Sequence, residues 1–153
     1  MMGIVLTKRG EKELTRILDI FRKKGIRLTD TRRAVTAYMI ASKSHPSAEK
    51  IYQDLKPDFP KMSLATVYNN LKFLVDEGFV TELKISKDPT SYFDYMGHQH
   101  LNVICEICGK IADMDIDIPD LKREAEECTG YRIRKTQMMA YGICPECLKS
   151  GHF

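Results

Sequence analysis

Four cysteines in two pairs, Cys105-Glu-Ile-Cys108 and Cys144-Pro-Glu-Cys147, carry the strongest chemical signal in the chain. Thiolates are soft ligands that hold zinc at about 2.3 Å, and two intervening residues let one tight turn aim both sulfurs at a single point. Gly109 follows the first pair, where a glycine lets the backbone fold under a metal and offers its N–H to a thiolate. Four thiolates close a tetrahedral shell and leave no position for a substrate, so the spacing predicts structural zinc. The rival chemistry, a dithiol redox pair, belongs beside a βαβ unit, and no such pattern surrounds either pair. The 35 residues between Cys108 and Cys144 exceed a simple zinc ribbon, so the metal is expected to tie together two ends of a small domain. The fifth cysteine, Cys128, lies at apolar helical spacing and is expected to be a buried, inert thiol.

A second donor set is harder in character. His98-Gln-His100 puts both imidazoles on one side of a strand, with Asp94 just upstream and Asp113, Asp115 and Asp117 alternating downstream. Mixed imidazole and carboxylate donors suit Fe(II), Mn(II) or Zn(II). With His45 among them, the ion would join the two halves of the chain and its occupancy would set the angle between them. Without a metal, the same residues are a chance His-x-His and a solvated strand edge.

The elements that must position these residues are legible from periodicity. Leu14, Ile17, Leu18 and Phe21 predict an amphipathic helix over 8–24, ended by Gly25. Thr29 or Asp30 can cap a second helix reaching about Ser42, with Ala34, Val35, Tyr38 and Met39 inward. Ser47 can cap a short third helix carrying Ala48, Ile51, Tyr52 and Leu55, broken by Pro57 and Pro60. A fourth runs over 63–77 with Leu64, Val67, Tyr68, Leu71, Leu74 and Val75 in one stripe, closed by Gly78. Strands are expected over 79–85 and 91–95, around a turn at 86–90.

Four helices and then a hairpin is the order of a winged helix-turn-helix, whose last helix enters the DNA major groove. The outward face of that helix is expected to present Thr66, Asn69, Asn70 and Lys72, with Lys61 just upstream. Asparagine can read adenine and lysine can hold phosphate. Beyond the hairpin, 98–105 and 110–115 read as strands, 119–129 as a helix with Leu121, Ala125 and Cys128 on one face, and 131–143 as a further strand. The expected class is therefore α+β, an N-terminal winged helix-turn-helix followed by a small α/β domain with a four-cysteine zinc site.

Charge is divided the same way. Residues 1–84 hold 16 Lys and Arg against 10 Asp and Glu, and residues 85–153 hold 8 against 11, which accounts for the net +3. A basic first half suits a polyanion and an acidic second half suits cations. No apolar run approaches a membrane span, and 1–10 shows no secretory signal, so a cytoplasmic protein with reduced cysteines is expected.

In chain order, Gly25-Ile-Arg-Leu-Thr-Asp-Thr-Arg32, His45-Pro-Ser-Ala-Glu-Lys-Ile-Tyr52, Ser63-Leu-Ala-Thr-Val-Tyr-Asn-Asn-Leu71, Tyr92-Phe-Asp94, the His-x-His, Cys105-Glu-Ile-Cys-Gly-Lys110 and Tyr141-Gly-Ile-Cys-Pro-Glu-Cys147 resemble the ferric uptake regulator family of metal-dependent transcription repressors. The resemblance runs over nearly the whole chain. It implies a homodimer, with a DNA-binding domain at 1–90 joined by a hinge to a dimerisation and metal-binding domain at 91–153. It implies binding of AT-rich inverted repeats in the metal-loaded state, which shuts off genes of metal uptake or stress defence. Tyr68 matches a tyrosine that contacts thymine, and Arg32 and Ser63 fall in the matched segments as further DNA-binding candidates.

The resemblance also places His45, Asp94, His100 and Asp113 on regulatory ligand positions. Asn102 stands where the usual motif has a histidine, so either its carbonyl oxygen or His98 would complete the site. Thr136 and Met139 replace the histidine and glutamate of a further metal site found in some members. Aspartate at 113 resembles the peroxide-sensing branch, in which iron at the regulatory site reacts with peroxide, a ligand histidine is oxidised, and DNA is released. His45 and His100 occupy the oxidisable positions. Sensing of iron or zinc level is the alternative within the family. From other classes, a metal-dependent hydrolase lacks an identifiable nucleophile–base pair or phosphate loop, and a zinc-stabilised interaction domain leaves the basic first half without a purpose.

Overall fold

Each of the first four helices begins where a hydroxyl can cap it. In the computed structural model these are α1 (Lys8–Lys23), α2 (Asp30–Ala41), α3 (Ala48–Leu55) and α4 (Leu64–Asp76). Thr7, Thr29, Ser47 and Ser63 accept the N–H of Gly10, Arg32, Lys50 and Thr66 at 3.0, 3.1, 3.2 and 3.1 Å. Such caps satisfy otherwise orphaned donors and contribute about 1 kcal/mol each. The structure describes residues 4–84, 88–95, 100–115, 121–133, 136 and 138–151. Expectations that fell on Ile85, Ser86, Lys87, His98, Asp117 and Pro119 lie outside the described residues.

α4 is closed just past its end by Gly78, whose φ of +83° suits glycine. Its N–H donates to the Val75 carbonyl and that of Phe79 to the Leu74 carbonyl, both at 3.0 Å, the bond pair that closes a helix and turns the chain toward a strand. The apolar stripes of the four helices converge on one core of Ile17, Phe21, Val35, Met39, Ile51, Val67, Leu71 and Leu74, joined by Val80 and Phe93 from the strands. Asn70, expected on the outward face, is only 5% exposed. It lies three residues after Val67 and four before Leu74, which is the spacing of the buried face.

β1 (Val80–Lys84) and β2 (Ser91–Tyr95) form a two-stranded sheet. The first compact unit holds α1–α4, β1 as far as Leu83, and β2. Thus β2, on the far side of the 90/91 division expected from sequence, belongs with the helices. Its Phe93 N–H donates to the Pro46 carbonyl at 2.9 Å, and Tyr92 makes an antiparallel bridge with Ser47.

The second unit contains β3 (His100–Cys105), β4 (Ile111–Asp115), α5 (Leu121–Thr129), β5 (Met139–Gly142) and α6 (Pro145–Ser150). Its sheet has the order β4-β3-β5, antiparallel on one side of β3 and parallel on the other. Among the described residues, the strand expected over 131–143 is regular at Met139–Gly142, where it pairs with β3 from Asn102 to Cys105. α6 was not foreseen, although Pro145 at its start and Gly151 after its end (φ +70°) are ordinary helix signals. Cys128 is exposed, not buried, because α5 buries none of its residues within this chain.

Candidate functional site

The parallel pairing of β3 with β5 is what gathers the cysteines. Parallel strands end at the same side of a sheet, so the turn after β3 and the turn after β5 emerge together. Cys105 stands opposite Gly142, and the Glu106 N–H donates to the Gly142 carbonyl at 2.8 Å. The four sulfurs of Cys105, Cys108, Cys144 and Cys147 lie within 4.8 Å of one another. Cys105 and Cys147 are 3.9 Å apart, and Cys108 and Cys144 are 3.7 Å apart. Four sulfurs tetrahedrally placed around zinc are separated by about 3.8 Å, whereas a disulfide needs about 2.05 Å. The cluster therefore has the composition and spacing of a structural zinc site.

Backbone N–H groups complete the surroundings of the sulfurs. Those of Ile107, Cys108 and Cys144 point at the Cys105 sulfur at 3.4, 3.5 and 3.4 Å. Gly109, expected to face a thiolate, donates instead to the Cys105 carbonyl at 3.0 Å, and its φ of +80° makes that tight turn possible. The N–H of Cys108, followed by that of Cys144, holds the Cys105 thiol down at about 6 against the opposing effect of burial. Cys147 is driven the other way, to about 12, by the adjacent Cys144 thiol and by burial. Cys105 is thus favoured as a thiolate while Cys144 and Cys147 are held toward the thiol, an opposition that a bound cation would offset. Lys110 Nζ reaches both Glu146 carboxylate oxygens, at 3.1 and 3.2 Å, and links the two knuckles at the surface.

The harder donors fall into two groups, one on each unit. In the first unit, the register that places Ser47 beside Tyr92 also places His45 beside Asp94. Their side chains are 13% and 11% exposed, with His45 Nε2 3.7 Å from Asp94 Oδ1. In the second unit, Asn102 stands directly across from Asp113, and His100 across from Asp115. Residues two apart on a strand share a face, so these four positions lie together on β3 and β4. Asn102 is buried and Asp113 exposed. His98 lies outside the described residues.

Along α4, Lys61, Ser63, Asn69 and Lys72 are exposed, and Thr66 and Tyr68 are half-buried. Ser63 and Thr66 form the helix cap, with their hydroxyls 3.0 Å apart. Two carboxylates that sequence reasoning passed over hold the flanking groups. Tyr68 donates to Glu49 Oε1 at 3.1 Å, and Lys72 to Glu82 Oε1 at 2.8 Å. Burial, and then Glu49, raise the Tyr68 phenol above its ordinary value. No spacing rule links α4 to α3 or β1, so only the fold reveals these partners. Arg32 turns its guanidinium toward Asn70 and Phe73.

Residues 23–141 match the model of the Ferric uptake regulator family. The chain belongs to this family. A peroxide-responsive repressor from Staphylococcus aureus (strain Mu50) is 43% identical over 138 residues, covering 90% of this chain and 93% of the relative. Among solved structures, the peroxide sensor and gene regulator PerR from Streptococcus pyogenes is 63% identical with a TM-score of 0.54, covering 88% of this chain and 92% of that one. The ferric uptake regulator of Helicobacter pylori, described with three functional metal binding sites, is 25% identical with a TM-score of 0.66 and covers 97% of both chains. Among ferric uptake regulators this chain thus resembles peroxide-responsive repressors closely in sequence. No helix among the described residues is long and apolar enough to cross a membrane.

Proposed function

We propose that this chain is a metal-dependent transcriptional repressor that binds DNA as a homodimer and lets go when peroxide oxidises a ligand histidine. The observation that carries the reading is the His45–Asp94 pair, an imidazole and a carboxylate shielded together and tied by backbone pairing to the start of α3. The regulatory ligands would be His45 and Asp94 from the first unit, and His100, Asp113 and either Asn102 or His98 from the second. This imidazole–carboxylate set suits Fe(II) or Mn(II), and the four cysteines suit structural Zn(II). Bound iron would supply the peroxide reactivity that manganese lacks.

The chain's own residues do the rest. His45 and His100 are the oxidisable donors. Peroxide gives one oxygen atom to an imidazole carbon and leaves as water, and the modified ring is a poorer ligand. With such a histidine lost as a donor, His45 and Asp94 on the first unit and the donors on the second would no longer share a ligand set. DNA contact falls to Lys61, Ser63, Thr66, Tyr68, Asn69 and Lys72 around α4, in an AT-rich inverted repeat. The homodimer is supported by the apolar surface this chain leaves exposed on its second unit: Met114, Tyr131, Tyr141 and Leu148 are 51 to 74% exposed. The regulators to which the chain is similar support a repressor over a hydrolase, and a cytoplasmic location follows from that role.

The test is fluorescence anisotropy of an AT-rich inverted-repeat duplex with iron-loaded, manganese-loaded and chelator-treated protein. Binding should require the regulatory metal, and dilute peroxide should abolish it only in the iron form. Binding that ignores the chelator would overturn metal dependence. Peroxide resistance of the iron form would leave a sensor of iron or zinc level.

A further inference from the structure

We infer that Arg32 is a positioning residue that seats the recognition helix, and not a DNA contact. The inference rests on the reading of α4 as the DNA-reading helix. Arg32 Nε donates to Asn70 Oδ1 at 3.1 Å, and Nη1 donates to the Arg27 carbonyl at 2.9 Å. The guanidinium carbon lies 4.5 Å from the centre of the Phe73 ring. One side chain thus joins the α1–α2 connection, the start of α2 and two successive turns of α4.

Asn70 explains why the fork must be there. The residue is 5% exposed on the core face of α4, where an unsatisfied polar group is costly. Its Nδ2 donates to the Thr66 carbonyl one turn back at 3.0 Å, which aims Oδ1 toward Arg32. The opposite orientation would set amide hydrogens against a guanidinium. Arg32 is therefore the partner that lets a polar residue sit among Val67, Leu71 and Leu74, and the pair locks the turn bearing Thr66, Tyr68 and Asn69 against α2. A lysine has neither the planar fork nor the stacking face needed to make these contacts together. The Arg32 guanidinium is thus turned inward to α4 and the α1–α2 connection, whereas the Lys72 ammonium stands on the exposed face beside Glu82, and on this reading only the latter meets a phosphate.

The full-length, metal-loaded protein tests this in two independent ways. In thermal unfolding without DNA, Arg32→Lys and Asn70→Ala should not be additive, and the double variant should melt close to the worse single one. Additive losses would overturn the pairing. Affinity for the AT-rich inverted-repeat duplex over a salt series gives the second readout. Arg32→Lys should weaken binding about tenfold with the wild-type dependence of log K on log salt. Lys72→Gln should lower that slope by about 1.8, that is about 0.9 for each of the two copies in the homodimer. A slope change of that size in an Arg32 variant would overturn the positioning role and make Arg32 a phosphate contact; because Lys keeps the charge, Arg32→Gln is measured beside it. If the Arg32 variants do not fold, Asn70→Ala carries the test: weakened binding at unchanged slope is expected, and wild-type affinity overturns the inference. Wild-type protein that binds no duplex would remove the DNA-binding reading, while the unfolding cycle would still report on the Arg32–Asn70 pair.

Discussion

Single residues divide into those that hold the fold and those that would switch it. Cys105 is a zinc ligand candidate and the acceptor for three backbone N–H groups, so Cys105→Ser should release zinc and unfold the second unit. Metal analysis and circular dichroism would show this; retained zinc would contradict it. Structural zinc contributes on the order of 10 kcal/mol in small metal-folded domains, so the loss should not be marginal. His100→Ala should instead keep zinc and fold but weaken metal-dependent DNA binding by at least about tenfold, and unchanged binding would take His100 out of the switch. Glu13 illustrates a purely structural charge. The Arg16 guanidinium, then the Tyr95 hydroxyl, hold its carboxyl below the ordinary value. On acidification the unfolded chain takes the proton first, so this contribution is complete above the ordinary carboxylate range and is lost as pH falls through the lowered value. The fall in melting temperature over that range should be shallower in Glu13→Gln. An unaltered profile would show that the pair adds nothing.

At the scale of elements, helix starts were the most readable feature. Ser63 is the cap of α4 and therefore of the surface proposed to meet DNA. Ser63→Ala should destabilise the first unit by about 1 kcal/mol and speed hydrogen exchange at the first turn of α4, most of all at the Thr66 amide; unchanged exchange would show that the cap is dispensable. Such caps are local, and so their sequence signals sufficed for α2 and α3. What was misread depends on long-range partners. Asn70 looks polar and outward until α2 supplies a guanidinium for it. Among the described residues, β5 follows its apolar pattern only where β3 pairs with it, from Asn102 to Cys105. Cys128 keeps the spacing of a buried residue, yet it is exposed and none of the residues of α5 is buried. The candidate site shows the same contrast. The four cysteines were legible because each pair is local, but their convergence depends on a parallel pairing across the 35 residues between them.

For the whole molecule, the basic half carries the helical unit and the acidic half carries the sheet with its cysteine cluster. The proposed regulatory donors are distributed over both, with His45 and Asp94 on one and His100, Asn102 and Asp113 on the other. Under the proposed reading, a ligand set divided in this way would make metal occupancy depend on both units, and damage to one imidazole would weaken it. The most direct measurement is peptide mass spectrometry of the iron-loaded protein before and after dilute peroxide, with manganese-loaded protein as control. One added oxygen at His45 or His100, confined to the iron form and rising in step with loss of DNA binding, is the predicted result. Unmodified histidines in protein that has released its DNA would contradict it.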